Sequence, residues 1–205
     1  MMTRNTLLLF SAALAFALAA SAEEASYGDH QDHLSKNDFQ ARGIAGMERL
    51  QEDSVQAACN HLGGTPPPNV VQVLEQTQLA AIKYPADGKL MGDWQRGEKI
   101  AQKGGGMTWS DKASDENGGN CYNCHQLSKA ETSFGTIGPS LRRYGALRGS
   151  SPEMQKYTYG KIFNAKAYNL CSKMPRFGYV KALSEQQIKD LVALLLDPES
   201  PVNKQ

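Results

Sequence analysis

The sequence predicts an all-α fold beyond residue 90, and three observations carry that prediction. Ser184 and Gln187 have the spacing of a capping box, which marks the start of a helix. An apolar face with helical spacing follows them, formed by Ile188, Leu191, Val192 and Leu195. Ser151-Pro152 places a capping residue before a proline at the first helical position. Residues 104–151 are glycine-rich and aperiodic, so strand pairing does not organise them.

A further helix is predicted at residues 94–103. Asp93 can cap its start, and Gly104 ends it. Gly97 lies inside this helix, where glycine costs about 1 kcal/mol relative to alanine. Either the glycine is tolerated drift, or another helix approaches closely at that point. At the other end of the chain, Asp197-Pro198 stops the last helix.

The N-terminus has the features of an export signal. Arg4 precedes an apolar run at residues 7–20, which is shorter than the roughly 20 residues that a transmembrane helix needs. Ala20-Ser21-Ala22 then has the small-x-small pattern of a cleavage site. We therefore expect a signal peptide at residues 1–22 that is cut after Ala22, a periplasmic mature chain, and no membrane span.

Composition shifts divide the rest of the chain near Leu90. The run Gly-Gly-Thr-Pro-Pro-Pro-Asn at residues 63–69 is typical of a linker. Within the part that precedes Leu90, apolar residues between 44 and 55 give a weak helical stripe, and residues 70–82 are ambiguous between strand and helix. We predict a partly helical N-terminal extension at residues 23–90 and a C-terminal domain at residues 91–205.

The charge balance argues against bulk nucleic-acid binding, because the chain has 22 Lys and Arg residues and 21 Asp and Glu residues. Residues 23–90 hold 10 acidic and 5 basic side chains, whereas residues 91–205 hold 11 acidic and 16 basic. The cationic surplus of the second half could orient a partner, or it is ordinary surface composition.

The stretch NCYNCHQ, residues 120–126, carries the chemistry. C-x-x-C-H is the attachment signature of c-type haem. Cys121 and Cys124 have the spacing to bond the two vinyl groups along one haem edge, and His125 then supplies the proximal imidazole. The single motif predicts one covalently attached haem c.

Two other interpretations of the motif are weaker. A zinc site needs a second pair of soft ligands, but Cys59 and Cys171 are isolated from each other in sequence. A thioredoxin-like thiol pair is expected at the start of a helix after a strand, whereas Gly118-Gly119-Asn120 precedes this pair without a strand signal.

A sixth ligand of the haem iron is expected after the motif in the sequence. No histidine follows His125, so methionines are the candidates. The candidates are Met154 and Met174. Met154 falls in the first turn of a predicted helix, where methionine is commonly a core side chain. Met174 lies in a loop turned by Pro175 and Gly178, which suits the presentation of a thioether, and we favour it.

These residues resemble the class I cytochromes c. The resemblance lies in Gly97, Cys121 to His125, Gly138 to Leu141, Met174-Pro175 and the closing amphipathic helix. A more specific resemblance lies at residues 84–94, 169–178 and 196–203. These stretches are similar to the SoxX family, the monohaem subunits of the SoxAX cytochromes of bacterial sulfur oxidation. The resemblance covers most of residues 80–203.

The resemblance implies a class I cytochrome c domain and a second contact for the proximal histidine, in which the Pro139 carbonyl accepts from the ring N–H of His125. It also implies a heterodimer with a SoxA subunit. SoxAX is an L-cysteine S-thiosulfotransferase, which oxidatively joins thiosulfate to a cysteine of the SoxYZ carrier. The bond is made on SoxA, and this chain would relay electrons to a soluble cytochrome c. A freestanding electron shuttle and a haem enzyme or gas sensor remain alternatives.

Cys59 and Cys171 are the two cysteines outside the C-x-x-C-H motif. Because the chain is expected to be exported and their number is even, we expect them to form a disulfide. It would tie the extension to the loop three residues before Met174. The alternative is that one of the two is a reactive thiol.

Overall fold

The structure is a computed structural model, and it describes residues 38–61 and 65–204. The predicted signal peptide at residues 1–22 and the cleavage after Ala22 lie outside the described residues. The chain divides into two compact units, residues 1–51 and 52–205. In the first unit the described residues contain a β-bridge between Arg42 and Ala45 and a 3-10 helix at Met47–Leu50. No described helix combines the length and the apolar character needed to cross a bilayer.

The second unit is helical. Its described α-helices are α1 (Ser54–His61), α2 (Pro68–Ala80), α3 (Trp94–Gln102), α4 (Tyr144–Arg148), α5 (Pro152–Phe163) and α6 (Glu185–Leu196). Short 3-10 helices lie at Cys121–Asn123 and Ala165–Ala167. No strand is present among residues 38–61 and 65–204, so the predicted all-α class is confirmed.

The predicted capping residues start three of these helices. The Asp93 side chain accepts from the main-chain N–H of Gln95 at 2.8 Å, and Ser151 accepts from that of Met154 at 3.3 Å. At α6 both hydrogen bonds of the capping box between Ser184 and Gln187 are present. Each cap satisfies a donor that the first turn leaves unpaired, so these local predictions are confirmed.

Helices α3 and α6 cross in close contact at Gly97. A Cβ added there would overlap the main-chain carbonyl of Asp190 and lie 3.0 Å from the Cβ of Leu194. The last turns of α6 are buried from Ile188 to Leu196. The glycine is therefore required by the approach of the two helices, and tolerated drift is the wrong interpretation.

Asp190 fastens the same crossing with polar contacts. Its carboxylate is 3% exposed and accepts from Arg96 Nε at 2.9 Å, from the main-chain N–H of Asp93 at 2.8 Å and from Gln186 at 2.8 Å. Burial opposes the charged form, but the hydrogen bonds and the charge of Arg96 outweigh it. They hold the pKa of Asp190 below its ordinary value.

Residues 52–90 pack in the same compact unit as the region that follows. The unit starts at Glu52, whereas the sequence suggested a division near Leu90. The proline run begins a helix, because Pro67 is the N-cap of α2 and Pro68 is its first residue. The ambiguous stretch at residues 70–82 is helical as far as Ala80. Proline suits this position since the first helical N–H has no partner in any case.

We predict that Gly97→Ala destabilises the protein by about 1–3 kcal/mol through overpacking. Alanine in a helix interior otherwise stabilises by about 1 kcal/mol relative to glycine, so the two effects have opposite signs. Urea unfolding measures the change. Gly105→Ala is the control, because only the Cε of Lys103 comes within 4 Å of a Cβ there. A stabilised Gly97→Ala variant would contradict close packing at the crossing.

We also predict that Asp190→Asn lowers the free energy of unfolding at pH 7 by about 2–3 kcal/mol, since a buried carboxylate loses charge-assisted hydrogen bonds. The pKa of Asp190 is depressed in the folded state, so its contribution is complete above the ordinary aspartate pKa of about 3.9. It declines as pH falls through the lower folded-state value. Unfolding at a series of pH values should show the two proteins converging in acid. A difference that persists unchanged into strong acid would argue against this role.

Candidate functional site

The C-x-x-C-H motif folds as one tight turn. Cys121–Asn123 forms a 3-10 helix, which Asn120 enters with a left-handed φ of 49°. The main-chain carbonyl of Cys121 accepts from the N–H of Cys124 at 3.1 Å and from that of His125 at 2.9 Å. The two thiols and the imidazole therefore belong to a single rigid turn of backbone.

Main-chain hydrogen bonds hold this turn in the long irregular region. On the upstream side, Gly119 donates to the carbonyl of Ile100 at 2.8 Å, which ties the turn to α3. On the downstream side, Gly135 donates to Tyr122 and Gly138 donates to Cys124, both at 2.8 Å. The loop is organised without strands, as its glycine content predicted.

The structure brings Pro139 and His125 together. The carbonyl oxygen of Pro139 lies 2.7 Å from Nδ1 of His125. A carbonyl can only accept, so Nδ1 is the donor, which leaves Nε2 as the ring nitrogen that can bind a metal. Gly138 lies against the imidazole, where an added Cβ would overlap the ring. The ring is thereby fixed in both orientation and tautomer, with Nε2 available to a metal.

The two thiols of the motif do not pair with each other. All four cysteines are described, and Cys121 and Cys124 are in no disulfide. Cys121 is only partly buried as a residue, but burial of its thiol raises the pKa to about 12. A redox-active thiol needs a lowered pKa, so the thioredoxin-like interpretation is disfavoured. Two free thiols beside an imidazole with an open Nε2 suit c-type haem: two thioether bonds and one iron ligand.

The zinc interpretation also lacks support in the structure. Within residues 38–61 and 65–204, no group of three or more His, Cys, Asp or Glu side chains is arranged to hold a metal ion. A structural zinc site needs four protein ligands. The motif is therefore not half of a zinc site in the described part of the chain.

Comparison with known proteins agrees with a haem-binding role for the two thiols and the imidazole of the C-x-x-C-H motif. Residues 94–197 match the family described as Cytochrome c. This chain belongs to the cytochrome c family. A curated relative named "Uncharacterized lipoprotein", from Aquifex aeolicus (strain VF5), is 41% identical over 157 residues, which cover 75% of this chain and 73% of the relative. As a class I cytochrome c, the protein is an electron-transfer haem protein with covalently bound haem c.

The two candidate methionines differ in their surroundings. Met154 has a partner for its sulfur, because the Tyr144 hydroxyl lies 3.8 Å from Sδ and can donate to it. Met174 lies in the loop between the 3-10 helix Ala165–Ala167 and α6, where it packs half-buried against the main core. Its main-chain N–H donates to the Ser172 hydroxyl at 3.2 Å. The assignment of Met174 of this cytochrome as the sixth ligand stays a prediction.

Cys59 and Cys171 are joined by a disulfide in the structure. The bond connects α1 to the loop that carries Met174, across a sequence separation of 112 residues. In the chain-entropy model, closing a loop of this length stabilises the folded state by about 4–5 kcal/mol. The extension is thus covalently attached to the cytochrome domain close to the predicted ligand.

Sequence reasoning missed a set of polar residues beside this loop, all of them buried except Asp53. They are Asp53, Gln78, Asn164 and Arg176, and hydrogen bonds link them. Arg176 is 8% exposed, although arginine is almost never buried unless it is paired. No local pattern could have found the set, because 123 residues separate Arg176 from Asp53.

We predict that Gly138→Ala weakens the bond between His125 and the haem iron. The added Cβ would displace the imidazole from its hydrogen bond to Pro139, and loss of such a supporting contact lowers metal affinity about 10–100-fold. Acid titration of the holoprotein, followed by the change from the low-spin to the high-spin spectrum, should show a midpoint at least about one pH unit higher. Gly105→Ala is again the control. An unshifted midpoint would show that the glycine does not position the ring.

Proposed function

We propose that this cytochrome c is the electron-transfer subunit of a SoxAX-type complex. The proposal is supported by the resemblance at residues 84–94, 169–178 and 196–203, all of which lie outside the haem motif. In the structure these stretches pack into the fold. The Tyr84 ring lies 5.6 Å from that of Tyr159, and the Asn203 side chain accepts from the N–H of Gly145 at 2.8 Å in the first turn of α4.

When bound, haem c supplies one-electron exchange at its iron. The chain's own residues attach and tune that group. Cys121 and Cys124 would hold it through thioether bonds, and Nε2 of His125 would bind its iron. In the proposal, Met174 would be the second protein ligand of the iron, and its thioether would favour reduced iron and raise the reduction potential. With both His125 and Met174 bound to it, the iron would have no position left for a substrate, which suits a relay.

The proposed reaction takes place on the partner. A cysteine thiol of the SoxYZ carrier and thiosulfate form an S–S bond, which releases two electrons and the thiol proton. SoxA makes this bond and passes the electrons on. The present chain, with one C-x-x-C-H motif, accepts them one at a time and delivers each to a soluble cytochrome c. It is thus a subunit of an L-cysteine S-thiosulfotransferase without making the bond itself.

One observation favours this role over that of a freestanding shuttle. Helices α1 and α2 precede the residues that match the cytochrome c family, and a disulfide fastens α1 to the loop of Met174. A simple shuttle needs only the haem domain, so an attached extension suggests a further task, such as membership of a complex. Family membership alone equally supports the alternative, a freestanding electron shuttle.

We propose export to the periplasm, with the signal peptide cut after Ala22. The support is the sequence of residues 4–22 and the chemistry of the chain, since disulfides persist in oxidising compartments. The name of the Aquifex relative describes that protein as a lipoprotein, which is compatible with export.

Purification and reconstitution test the proposed function. The native protein should co-purify with a second c-type chain, and the pair should reduce a soluble cytochrome c when given thiosulfate and a carrier with a free cysteine. The isolated holoprotein should accept and donate electrons but leave thiosulfate unchanged. Turnover of thiosulfate by the isolated chain would contradict the relay role. A native monomer that exchanges electrons with respiratory partners would favour the shuttle.

A further inference from the structure

We infer that Asp53, Gln78 and Arg176 form a polar clamp that positions Met174 towards the haem iron. The polar clamp consists of these three residues. Asp53 lies at the start of α1, Gln78 lies in α2, and Arg176 lies in the loop that carries Met174. The inference rests on the proposed ligation of iron by Met174. It assigns a task to the helices that precede the haem-binding region.

Arg176 is the centre of the polar clamp and lies two residues after Met174. Its Nη2 donates to Oδ2 of Asp53 in an ion pair, and its Nη1 donates to Oε1 of Gln78 at 3.3 Å. The guanidinium also lies over the Tyr179 ring, 4.5 Å from the ring centre. A planar guanidinium held on three sides has little freedom to rotate, so the backbone beside Met174 is held with it.

Gln78 extends the contact into the core. It is 5% exposed, and its side-chain oxygen accepts from Nδ2 of Asn164 at 3.0 Å as well as from Arg176. Asn164 is fully buried at the end of α5, and its Nδ2 also reaches the main-chain oxygen of Gln78 at 3.2 Å. Arg176 is therefore joined through Gln78 both to α2 and to the end of α5.

Asp53 is itself held in place as the cap of α1. Its Oδ1 accepts from the main-chain N–H groups of Val55 at 3.0 Å and Gln56 at 2.9 Å. Burial opposes its charged form, but the hydrogen bonds from Gln56 and Arg176 outweigh burial and lower its pKa. The carboxylate is therefore charged at neutral pH, and it presents Oδ2 to Arg176 from a fixed position.

A second set of contacts holds the loop on the other side of Met174. The disulfide fixes Cys171 to α1, and Oε1 of Glu75 on α2 accepts from the main-chain N–H of Leu170 at 2.9 Å. Met174 thus lies on a short segment whose two ends are both fastened to α1 and α2. A ligand held near its bound position loses less conformational entropy when it binds, so its bond to iron is stronger.

A purely structural role and a positioning role predict different results. If the polar clamp only stabilises the fold, its loss lowers the free energy of unfolding and leaves the methionine bond as strong as that of any equally destabilised variant. If it positions Met174, the methionine leaves the iron more readily than the loss of global stability explains. The test therefore needs a variant of matched stability.

The experiment compares Asp53→Asn with the wild type as full-length holoproteins. The readouts are the sulfur-to-iron charge-transfer band of the oxidised form and the rate at which carbon monoxide binds the reduced form by displacing methionine. Loss of a charge-assisted hydrogen bond should raise the population without bound methionine by about tenfold or more. Carbon monoxide should bind faster by the same factor, and the band should fade at a lower temperature. Asp53→Glu, which keeps the charge, should recover part of the effect.

Asp190→Asn is the control, because it also removes a carboxylate that is paired with an arginine, but from the contact between α3 and α6. Since the Asp190 carboxylate is more deeply buried than that of Asp53, the rates are compared at equal free energy of unfolding, adjusted with urea. Asp190→Asn should lower stability and leave carbon monoxide binding unchanged. Should Asp53→Asn fail to fold, the double variant Asp53→Asn/Arg176→Gln removes the uncompensated charge as well, and it should fold while still binding carbon monoxide faster. Equal rates in the two asparagine variants, or a wild-type rate in the double variant, would overturn the inference.

Met174→Ala separates the inference from the function on which it rests. If the charge-transfer band persists in this variant, Met174 is not the ligand, and both the closed coordination sphere and the positioning role are overturned. If the band disappears in Met174→Ala while Asp53→Asn behaves like Asp190→Asn, only the positioning role is overturned. The relay function then stands.

Discussion

The contact between α3 and α6 at Gly97 is the constraint on which the rest of the fold depends. Because a side chain is missing at that point, the backbone of α3 lies directly on the carbonyl of Asp190. The buried carboxylate of Asp190 then joins the N-terminus of α3 to α6 through Arg96 and the N–H of Asp93. Two helices at opposite ends of the domain thus become one support, to which the irregular segments between them attach.

The haem-binding turn depends on that support through its backbone. Gly119 donates to the last turns of α3, and the turn itself presents Cys121, Cys124 and His125 within five consecutive residues. His125 gains its orientation from Pro139, 14 residues later, so the ligand is fixed by two separate parts of one loop. Glycines allow these close approaches, and the region therefore needs no strands to be ordered.

Most of the local structure could be predicted because it depends on neighbours in sequence. The caps at Asp93 and Ser184 and the C-x-x-C-H turn each involve residues within a few positions of one another. The start of α2 was predicted to be a linker, because the local sequence there fits two structures. A proline run is equally compatible with a linker and with the first turn of a helix, and packing of the following residues decides between them.

The sequence by itself determined where α3, α5 and α6 begin and indicated membership of the cytochrome c family, and it predicts the haem attachment residues, because each of these depends on residues that are close together in the sequence. Only the tertiary structure decided that α1 and α2 pack in one unit with the cytochrome domain and that Arg176 is buried among Asp53 and Gln78. These contacts join residues about 100 positions apart. The sequence around Arg176 does not indicate which residue pairs with it. The pairing is required only because the folded chain buries the guanidinium.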